Sequence, residues 1–411
     1  MKTLQKLRGQ VGHCQLIGGE VSLLEADDHA RALEVMRFYG RIPMSFTHGD
    51  FGYEYLERLC TEDGKGRGRR KRRRKRFDRV DFAVHFDRFM VGRTGIKRPT
   101  SEKELMGYRK RFVEMFERLR REYGVKYYLA HNMTVQPGNL DEVSEVVKMA
   151  KGYGWRMMSF QPAAYQGDER RWASDYSRIA KDDGEVVWKQ IEKGAGCRLP
   201  YRLFQMGDFR CNRTCVGALI GPKDDSDCAF VPFFDDRSKV DERVRDAIMT
   251  HVGNIVLKPR ILAIKIARVL ITRPWLIFLG LAWCMSFAAR AGGLLRILRY
   301  RIRIITFVMH RFMDATNVKK AWKLMDEGVS TDDLRVEQAS PQVKETMERL
   351  AACSYGMAQV GERRIVPACV QHSVYDEKEN LELMKELKLG EKSSPASSAD
   401  VPISGLHAAA R

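Results

Sequence analysis

Five short apolar segments within residues 10–165 each end in polar side chains that could bind a ligand. The first ends in Gly18, Gly19 and Glu20, where the glycines let a ligand approach the backbone and the carboxylate can accept hydrogen bonds from an ammonium group. The other four segments end in polar residues that include Ser45, Thr47, Asp87, His131, Asn132, Thr134 and Gln161, the last followed by Pro162. One such end is common turn chemistry, but five together favour a ligand site.

The elements that would position these residues alternate between strands and helices. The strand-like segments are CQLIGG, IPMSFTHGD, RVDFAVHFD, KYYLAHNMTV and WRMMSFQPAA. One intervening helix is predicted after Pro99, with Ser101 and Glu104 as a capping box, and another over residues 140–151. This alternation predicts a parallel α/β sheet, open or barrel-shaped. Ligands gather at the carboxyl ends of such strands, so we expect the polar ends to converge.

Composition is that of an ordinary globular chain with two basic segments. The 411 residues are 44% hydrophobic and 30% charged, and the first twelve lack the apolar core of a secretory signal. Nine irregularly spaced cysteines favour reduced thiols or metal ligands over disulfides, as in a cytoplasmic protein. Residues 65–76 and 255–305 each carry ten positive charges and no acid, against a net charge of +19. The rest is nearly neutral, which argues against a general nucleic-acid binder.

Several stretches together resemble the core of radical S-adenosylmethionine (SAM) enzymes. The resemblance is strongest to the branch that contains tetraether lipid synthase-like proteins and uncharacterised bacterial relatives. They are LIGGEVSLL, PMSFTHGD, HFDRFMVGRTGIKRPTSEKEL, AHNMTVQPGNLDEV and SFQPAA. TFVMHRFMDA and ERLAACSYGMAQVGERRIVPACVQHSVYD resemble the carboxyl-terminal part of the same branch. The resemblance covers roughly residues 10–230 and 300–385, and it rests on the order and spacing of the motifs.

The resemblance implies an α/β fold, a partial (β/α)6 TIM-like barrel lacking its first strand, with a C-terminal α+β extension. It implies that Gly18, Gly19 and Glu20 hold the amino group of SAM. Groups near the ribose and carboxylate would be Asp87, His131, Asn132 and Thr134; Gln161 and Pro162 would support the adenine, and Ser45 and Thr47 complete the expected cofactor site. In this family a 4Fe–4S cluster cleaves SAM to a 5′-deoxyadenosyl radical for C–H activation, here on a hydrophobic or lipid-like substrate.

The chain departs from the family at the cluster. The family binds the cluster through C-x-x-x-C-x-x-C ahead of the Gly-Gly-Glu strand, where this sequence has only Cys14. As printed, the chain is expected not to assemble the SAM-cleaving cluster, since three thiolates are needed. A start codon assigned too far downstream is favoured over a naturally cluster-free protein. The resulting alternative function is a catalytically inert SAM- or membrane-binding barrel remnant. The catalytic residues are left unassigned.

An auxiliary iron–sulfur centre is a further expectation. Cys353 and Cys369 flank a hairpin-like segment and could bind it with Cys211 and with Cys215 or Cys228. The competing interpretation is that these are buried structural thiols. His310 and His372 are expected to be structural or substrate-pocket residues rather than metal ligands.

The sequence divides into five predicted segments. They are the barrel (1–165, with a basic insertion at 65–76), a barrel extension (166–250), an apolar basic helical segment (251–305), an auxiliary domain (306–390) and a disordered tail (391–411). The insertion is predicted to be a solvated loop rather than an RNA contact, because it contains no aromatic residue. The uncharged stretch 275–289 is shorter than the ~20 residues that cross a bilayer. It is either an in-plane helix at the inner membrane face or a helical subdomain packed on the barrel.

Overall fold

The protein forms two compact units in a computed structural model. The structure describes residues 12–17, 20–63, 73–89, 99–165, 184–204, 207–221, 228–252, 259–300, 302–338, 340–358 and 365–376. The first unit takes the described residues within 1–163 and 174–312, and the second those within 164–173 and 313–411. Three predicted features lie outside the described residues. They are residues 65–72 of the basic insertion, the glycines Gly18 and Gly19, and the tail.

The first unit is an α/β structure built on an eight-stranded, mostly parallel sheet curled into a half-barrel. In chain order its strands are β1 (Gly12–Leu16), β2 (Arg41–Thr47), β5 (Arg79–His85), β6 (Lys126–Val135), β7 (Met157–Pro162), β8 (Asn212–Ile220), β9 (Ala229–Pro232) and β10 (Arg303–His310). The strands lie in the order β1-β2-β5-β6-β7-β10-β8-β9. Neighbours from β1 to β10 are parallel, whereas β8 is antiparallel to both β10 and β9.

Two small ladders accompany this sheet. In the first unit, β3 (Thr61–Glu62) pairs with β4 (Arg74–Lys75), so the last residues of the basic run are strand residues rather than loop. Arg74 and Lys75 are paired there with Glu62 and Asp78. In the second unit, β11 (Gly356–Ala358) pairs antiparallel with β12 (Ile365–Pro367), where the sequence predicts a hairpin.

Helices connect the strands. Those of the first unit are α1 (Ala26–Phe38), α2 (Tyr53–Cys60), α3 (Met106–Tyr123), α4 (Val143–Ala150), α5 (Glu185–Ala195), α6 (Lys239–Ala247), α7 (Pro259–Thr272), α8 (Trp275–Arg290) and α9 (Leu294–Arg299). Those of the second unit are α10 (Ala315–Asp326), α11 (Leu334–Glu337), α12 (Pro341–Ala351) and α13 (Ala368–Val370). Among the described residues, every helix is too short or too polar to cross a membrane.

All five strands predicted from the sequence are present and adjacent in the sheet. The sheet then continues through β10, β8 and β9, which the sequence assigned to other segments. Strand β10 crosses the predicted boundary at residue 305, because its alternating apolar residues pair with β7 on one side and β8 on the other. The second boundary between the two compact units lies at residues 312 and 313.

The start of α3 differs from its predicted capping box. A 3₁₀ turn (Glu102–Leu105) precedes the helix, and the Ser101 side chain makes no capping hydrogen bond. Thr100 donates its backbone N–H and its hydroxyl to the Glu104 carboxylate instead. Both bonds run from Thr100 to Glu104, so the contact is not the reciprocal pair of a capping box. At the other end, Gly124 adopts φ +70° and donates its N–H to the Arg120 carbonyl, which ends the helix.

The parallel strands β5, β6 and β7 each have one face against the helices and one turned away from them. Side chains alternate along a strand, so Val80, Phe82 and Val84 pack together in the helix-covered core. Phe82 and Phe116 of α3 lie edge to face with ring centroids 5.1 Å apart. Burial of each such ring stabilises the fold by roughly 2–3 kcal/mol. We call the opposite side of the sheet, which carries Asp81, Ala83 and His85, the inner face.

Candidate functional site

The carboxyl ends of the parallel strands bring polar side chains together on the inner face. Register places His85 of β5 beside Asn132 of β6, and Asn132 beside Ser159 of β7. Two residues further on, Thr134 lies beside Gln161. Because side chains alternate, these five residues share the inner face. Together with Asp87 and Glu20 they form what we call the rim.

Three neighbouring rim side chains have no hydrogen-bond partner among the described residues. Asn132 is only 6% exposed, yet its amide makes no hydrogen bond there. The hydroxyl oxygen of Ser159 is buried and likewise unpartnered. The half-buried Gln161 amide also makes no hydrogen bond with described residues. Of the three, the Ser159 hydroxyl is the buried unpaired group, which costs about 1–3 kcal/mol, and all three leave hydrogen-bonding capacity for a polar ligand.

His85 and Asp87 form a hydrogen-bonded pair at the end of β5. His85 Nε2 lies 2.5 Å from Asp87 Oδ2 and 3.1 Å from the Thr134 hydroxyl oxygen. Asp87 is buried, and its Oδ1 accepts a hydrogen bond from the Phe89 backbone N–H at 2.8 Å. A histidine held by a carboxylate can accept, donate or retain a proton next to a ligand hydroxyl.

Glu20 lies where β1 and β2 end, and its carboxylate is already held by local donors. Oε1 accepts hydrogen bonds from the backbone N–H and hydroxyl of Ser22, at 2.9 and 2.8 Å, and from the Thr47 hydroxyl at 2.6 Å. Oε2 accepts the His48 backbone N–H and lies 3.4 Å from its Nδ1. Burial raises the pKa of Glu20, but these hydrogen bonds outweigh burial and lower it. Glu20 is therefore an anion, and Oε2 keeps acceptor capacity for a cation.

A buried network behind β5 and β6 holds the rim in place. Arg109 of α3 is fully buried and pairs with Glu102 at 2.5 Å. It also donates to His131 Nε2 at 3.0 Å and to the Phe86 carbonyl at 3.1 Å. Glu102 in turn accepts from Asn139 at 3.0 Å, and Asn139 donates to the Thr134 carbonyl. The network thus ties the ends of both strands to α3.

A second buried set of hydrogen bonds lies behind β2. His29 of α1 is within hydrogen-bond distance of the Ser45 hydroxyl through Nε2, at 2.8 Å, and of the Tyr55 hydroxyl through Nδ1, at 3.0 Å. Burial lowers the pKa of His29 to about 4, although the nearby charge of Glu20 acts in the opposite direction. His29 is therefore neutral near pH 7 and links α1 to β2.

The structure separates the predicted site residues into two groups. Glu20, Asp87, Asn132, Thr134 and Gln161 lie at the rim, with Thr47 bonded to Glu20. Ser45 and His131 are fully buried on the helix-covered side, bonded to His29 and Arg109, and Pro162 is buried on that side next to Gln161. Their side chains support the strands instead of lining the inner face.

The sequence analysis does not assign His85 and Ser159 of this edge to the site, and it leaves His310 as a structural or substrate-pocket residue. His85 and Ser159 each lie two residues before a predicted site residue, Asp87 and Gln161. Because side chains alternate along a strand, this spacing could have placed them on the same face of the sheet. His310 ends β10 in register with Asn212 of the antiparallel β8, and its Nδ1 lies 2.6 Å from the Asn212 amide oxygen. Burial lowers the pKa of His310 to about 4. Its place at the same edge follows from the insertion of β10 beside β7.

The span of the rim limits the shape of a ligand. From β1 to β7 there are four inter-strand spacings, which amount to ~19 Å along the edge before curling shortens the distance. One end presents the Glu20 carboxylate, and the other presents uncharged amide and hydroxyl groups. An elongated molecule with a cationic end and a polar, uncharged end fits this arrangement.

The cysteines expected to bind an auxiliary cluster lie in different units. Cys211 precedes β8 in the first unit, whereas Cys353 and Cys369 belong to the second. The Cys353 thiol donates to the Tyr355 carbonyl at 3.3 Å, and the Cys369 sulfur accepts the Met313 N–H at 3.5 Å. Burial raises the pKa of Cys215, which keeps it a neutral thiol. In the described parts of the chain, no three or more His, Cys, Asp or Glu side chains form a group that could hold a metal.

Comparisons with known proteins add no family assignment. No protein-family model matches the chain, and no similar protein is found among curated sequences.

Proposed function

We propose that the rim binds S-adenosylmethionine and that the chain is of the radical SAM type. The observation that carries the proposal is the row of unpartnered polar side chains, Asn132, Ser159 and Gln161, on the same sheet edge whose other end presents the anionic Glu20. SAM has the required chemistry, a cationic amino-acid end joined to a polar nucleoside. The order of the motifs along the sequence supports the same ligand.

Different rim residues would bind different parts of SAM. Glu20 Oε2 accepts a hydrogen bond from the ammonium of the methionine moiety. Asp87 and Thr134 would hydrogen-bond ribose hydroxyls, a role supported by the contacts that His85 makes with both of them. Asn132 and Ser159 provide hydrogen bonds to ribose or carboxylate oxygens, and Gln161 provides one to the adenine. The buried pair of Glu102 and Arg109 keeps these groups preorganised, which lowers the entropic cost of binding.

The residues present do not fit the SAM-cleaving iron–sulfur cluster. The printed sequence contains no C-x-x-x-C-x-x-C, and the described residues contain no group of three metal-binding side chains. For this chain as printed, binding of SAM is the primary proposal. C–H activation on a hydrophobic substrate is the secondary one, and an inert SAM-binding half-barrel is the alternative.

Calorimetry with two ligands tests the binding proposal. SAM and 5′-methylthioadenosine share the nucleoside, but only SAM carries the ammonium group. Glu20→Gln should weaken SAM binding about tenfold or more and leave methylthioadenosine binding unchanged. Ser159→Ala should weaken both ligands. Glu25→Gln, an exposed carboxylate five residues along the chain, is the matched control and should change neither. Equal effects of Glu20→Gln and Glu25→Gln would contradict the assignment.

Anaerobic incubation with iron and sulfide separates the two functions. If the protein is a radical SAM enzyme as printed, it should gain bound iron and visible absorbance and produce 5′-deoxyadenosine from SAM. Binding of SAM without iron uptake or deoxyadenosine would identify the inert half-barrel and exclude catalysis by this chain.

A further inference from the structure

Helix α8 is apolar on both faces, and only one face is covered. Its inner residue Phe287 packs with Ala218, Ile220 and Val231 of β8 and β9. On the outer side, Phe278, Leu281 and Met285 recur at the spacing of one helical face and are strongly exposed, Phe278 by 73% and Met285 by 72%. A helix that is apolar all round is normally buried on all sides. The outer face therefore lacks its partner.

The exposed apolar surface extends onto both neighbouring helices. Helix α7 contacts α8 and exposes Ile264 and Ile271, which are seven residues apart and thus on one face. Helix α9 also contacts α8 and exposes Leu295 and Leu298, the former by 83%. We define the apolar patch as Ile264, Ile271, Phe278, Leu281, Met285, Leu295 and Leu298. Exposed apolar side chains gathered on three contacting helices are typical of an interaction site.

The charged and aromatic residues near the apolar patch indicate what kind of partner it binds. Residues 255–305 contain no acid, and Arg268, Arg273 and Arg299 are exposed on or directly after the helices that carry the patch. Trp275, half exposed, stands at the start of α8. Cations and an indole beside an apolar helix face are the combination found at the boundary between lipid headgroups and acyl chains. The positive charge of the helices that carry the patch complements an anionic leaflet.

We propose that the apolar patch docks the protein onto the surface of an anionic lipid bilayer, with α8 lying in the plane of the membrane. The helix has 16 residues and is thus ~24 Å long, shorter than the ~30 Å hydrocarbon core, and its covered face is fixed to the sheet. It therefore lies in the interface without crossing. This proposal does not depend on what the rim binds.

Vesicle sedimentation with the full chain tests the proposal. The protein should sediment with vesicles that contain phosphatidylglycerol, bind phosphatidylcholine vesicles more weakly, and dissociate as salt is raised. The apolar variant replaces Phe278, Leu281 and Met285 with Ser and should lose at least tenfold in affinity. Phe38→Ser, an 84% exposed aromatic residue on α1, is its control and should bind like the wild type.

The charge variant replaces Arg268, Arg273 and Arg299 with Gln. Each arginine should contribute about fivefold to binding of anionic vesicles. Its control carries the same charge change on α3, at the exposed residues Lys110, Arg111 and Arg120. Absence of sedimentation with either vesicle would overturn the proposal. So would a soluble dimer, seen by analytical ultracentrifugation, that the apolar variant dissociates, because a second copy would then cover the patch.

Discussion

His29 makes the fold sensitive to mild acid, and the size of the effect follows from its burial. It is fully buried between Ser45 and Tyr55, and burial lowers its pKa from 6.5 to about 4. Protonation is thus easier in the unfolded chain than in the folded one. The stabilisation is complete above the unfolded pKa and is lost as pH falls from about 6.5 to about 4. Over that range the loss is about 3 kcal/mol, of which ~2 kcal/mol has occurred at about pH 5.

Urea unfolding at about pH 7.5 and about pH 5 measures this loss. His29→Gln removes the titrating ring, so the variant should be less stable at neutral pH but lose ~2 kcal/mol less than the wild type between the two pH values. Carboxylates titrate in both proteins, so their contribution to the change in unfolding free energy cancels in the comparison. His13→Gln, at an exposed histidine of β1, should retain the wild-type pH dependence. A parallel loss of stability in the wild type and in His29→Gln would refute the reasoning.

Two further predictions concern the support of the rim. Arg109→Met should destabilise the fold by about 3–5 kcal/mol, because it leaves the buried Glu102 carboxylate unpaired, and the double variant with Glu102→Gln should recover part of that loss in urea unfolding. Gly49→Ala should cost ~2–5 kcal/mol, because a Cβ there would meet Val84 Cγ2 at 2.6 Å and φ is +72°. Gly124→Ala shares the positive φ but has open space around the new Cβ, so thermal unfolding should show only the ~1–2 kcal/mol backbone cost. Equal costs at both glycines would contradict the steric argument.

The five parallel strands could be predicted because their apolar residues are contiguous in the sequence and their turns are polar. The polar rim could be predicted for the same reason, since carboxyl ends of parallel strands meet at one edge. Which of these side chains face the ligand depends on the alternation of side chains between the two faces of a strand. His131 and Asn132 are consecutive, so only one of them can face the ligand, and the buried Arg109 binds His131.

The sheet beyond β7 could not be predicted from local patterns. Strand β10 lies 141 residues after β7 in the sequence (Pro162 to Arg303), and β8 enters the sheet antiparallel. Such pairing is fixed by packing of the whole unit, not by any nearby motif. His310 and Asn212 reach the carboxyl edge only through this arrangement. Likewise, the exposed outer face of α8 becomes evident only once β8 and β9 cover its inner face.

Hydrogen–deuterium exchange with saturating SAM tests the central claim most directly. The account predicts slower exchange at the carboxyl ends of β2, β5, β6 and β7, at residues 45–49, 85–89, 131–136 and 159–163, with little change at the opposite edge of the sheet. Protection confined to other parts of the chain, or no protection while SAM is bound, would show that the rim is not the SAM site.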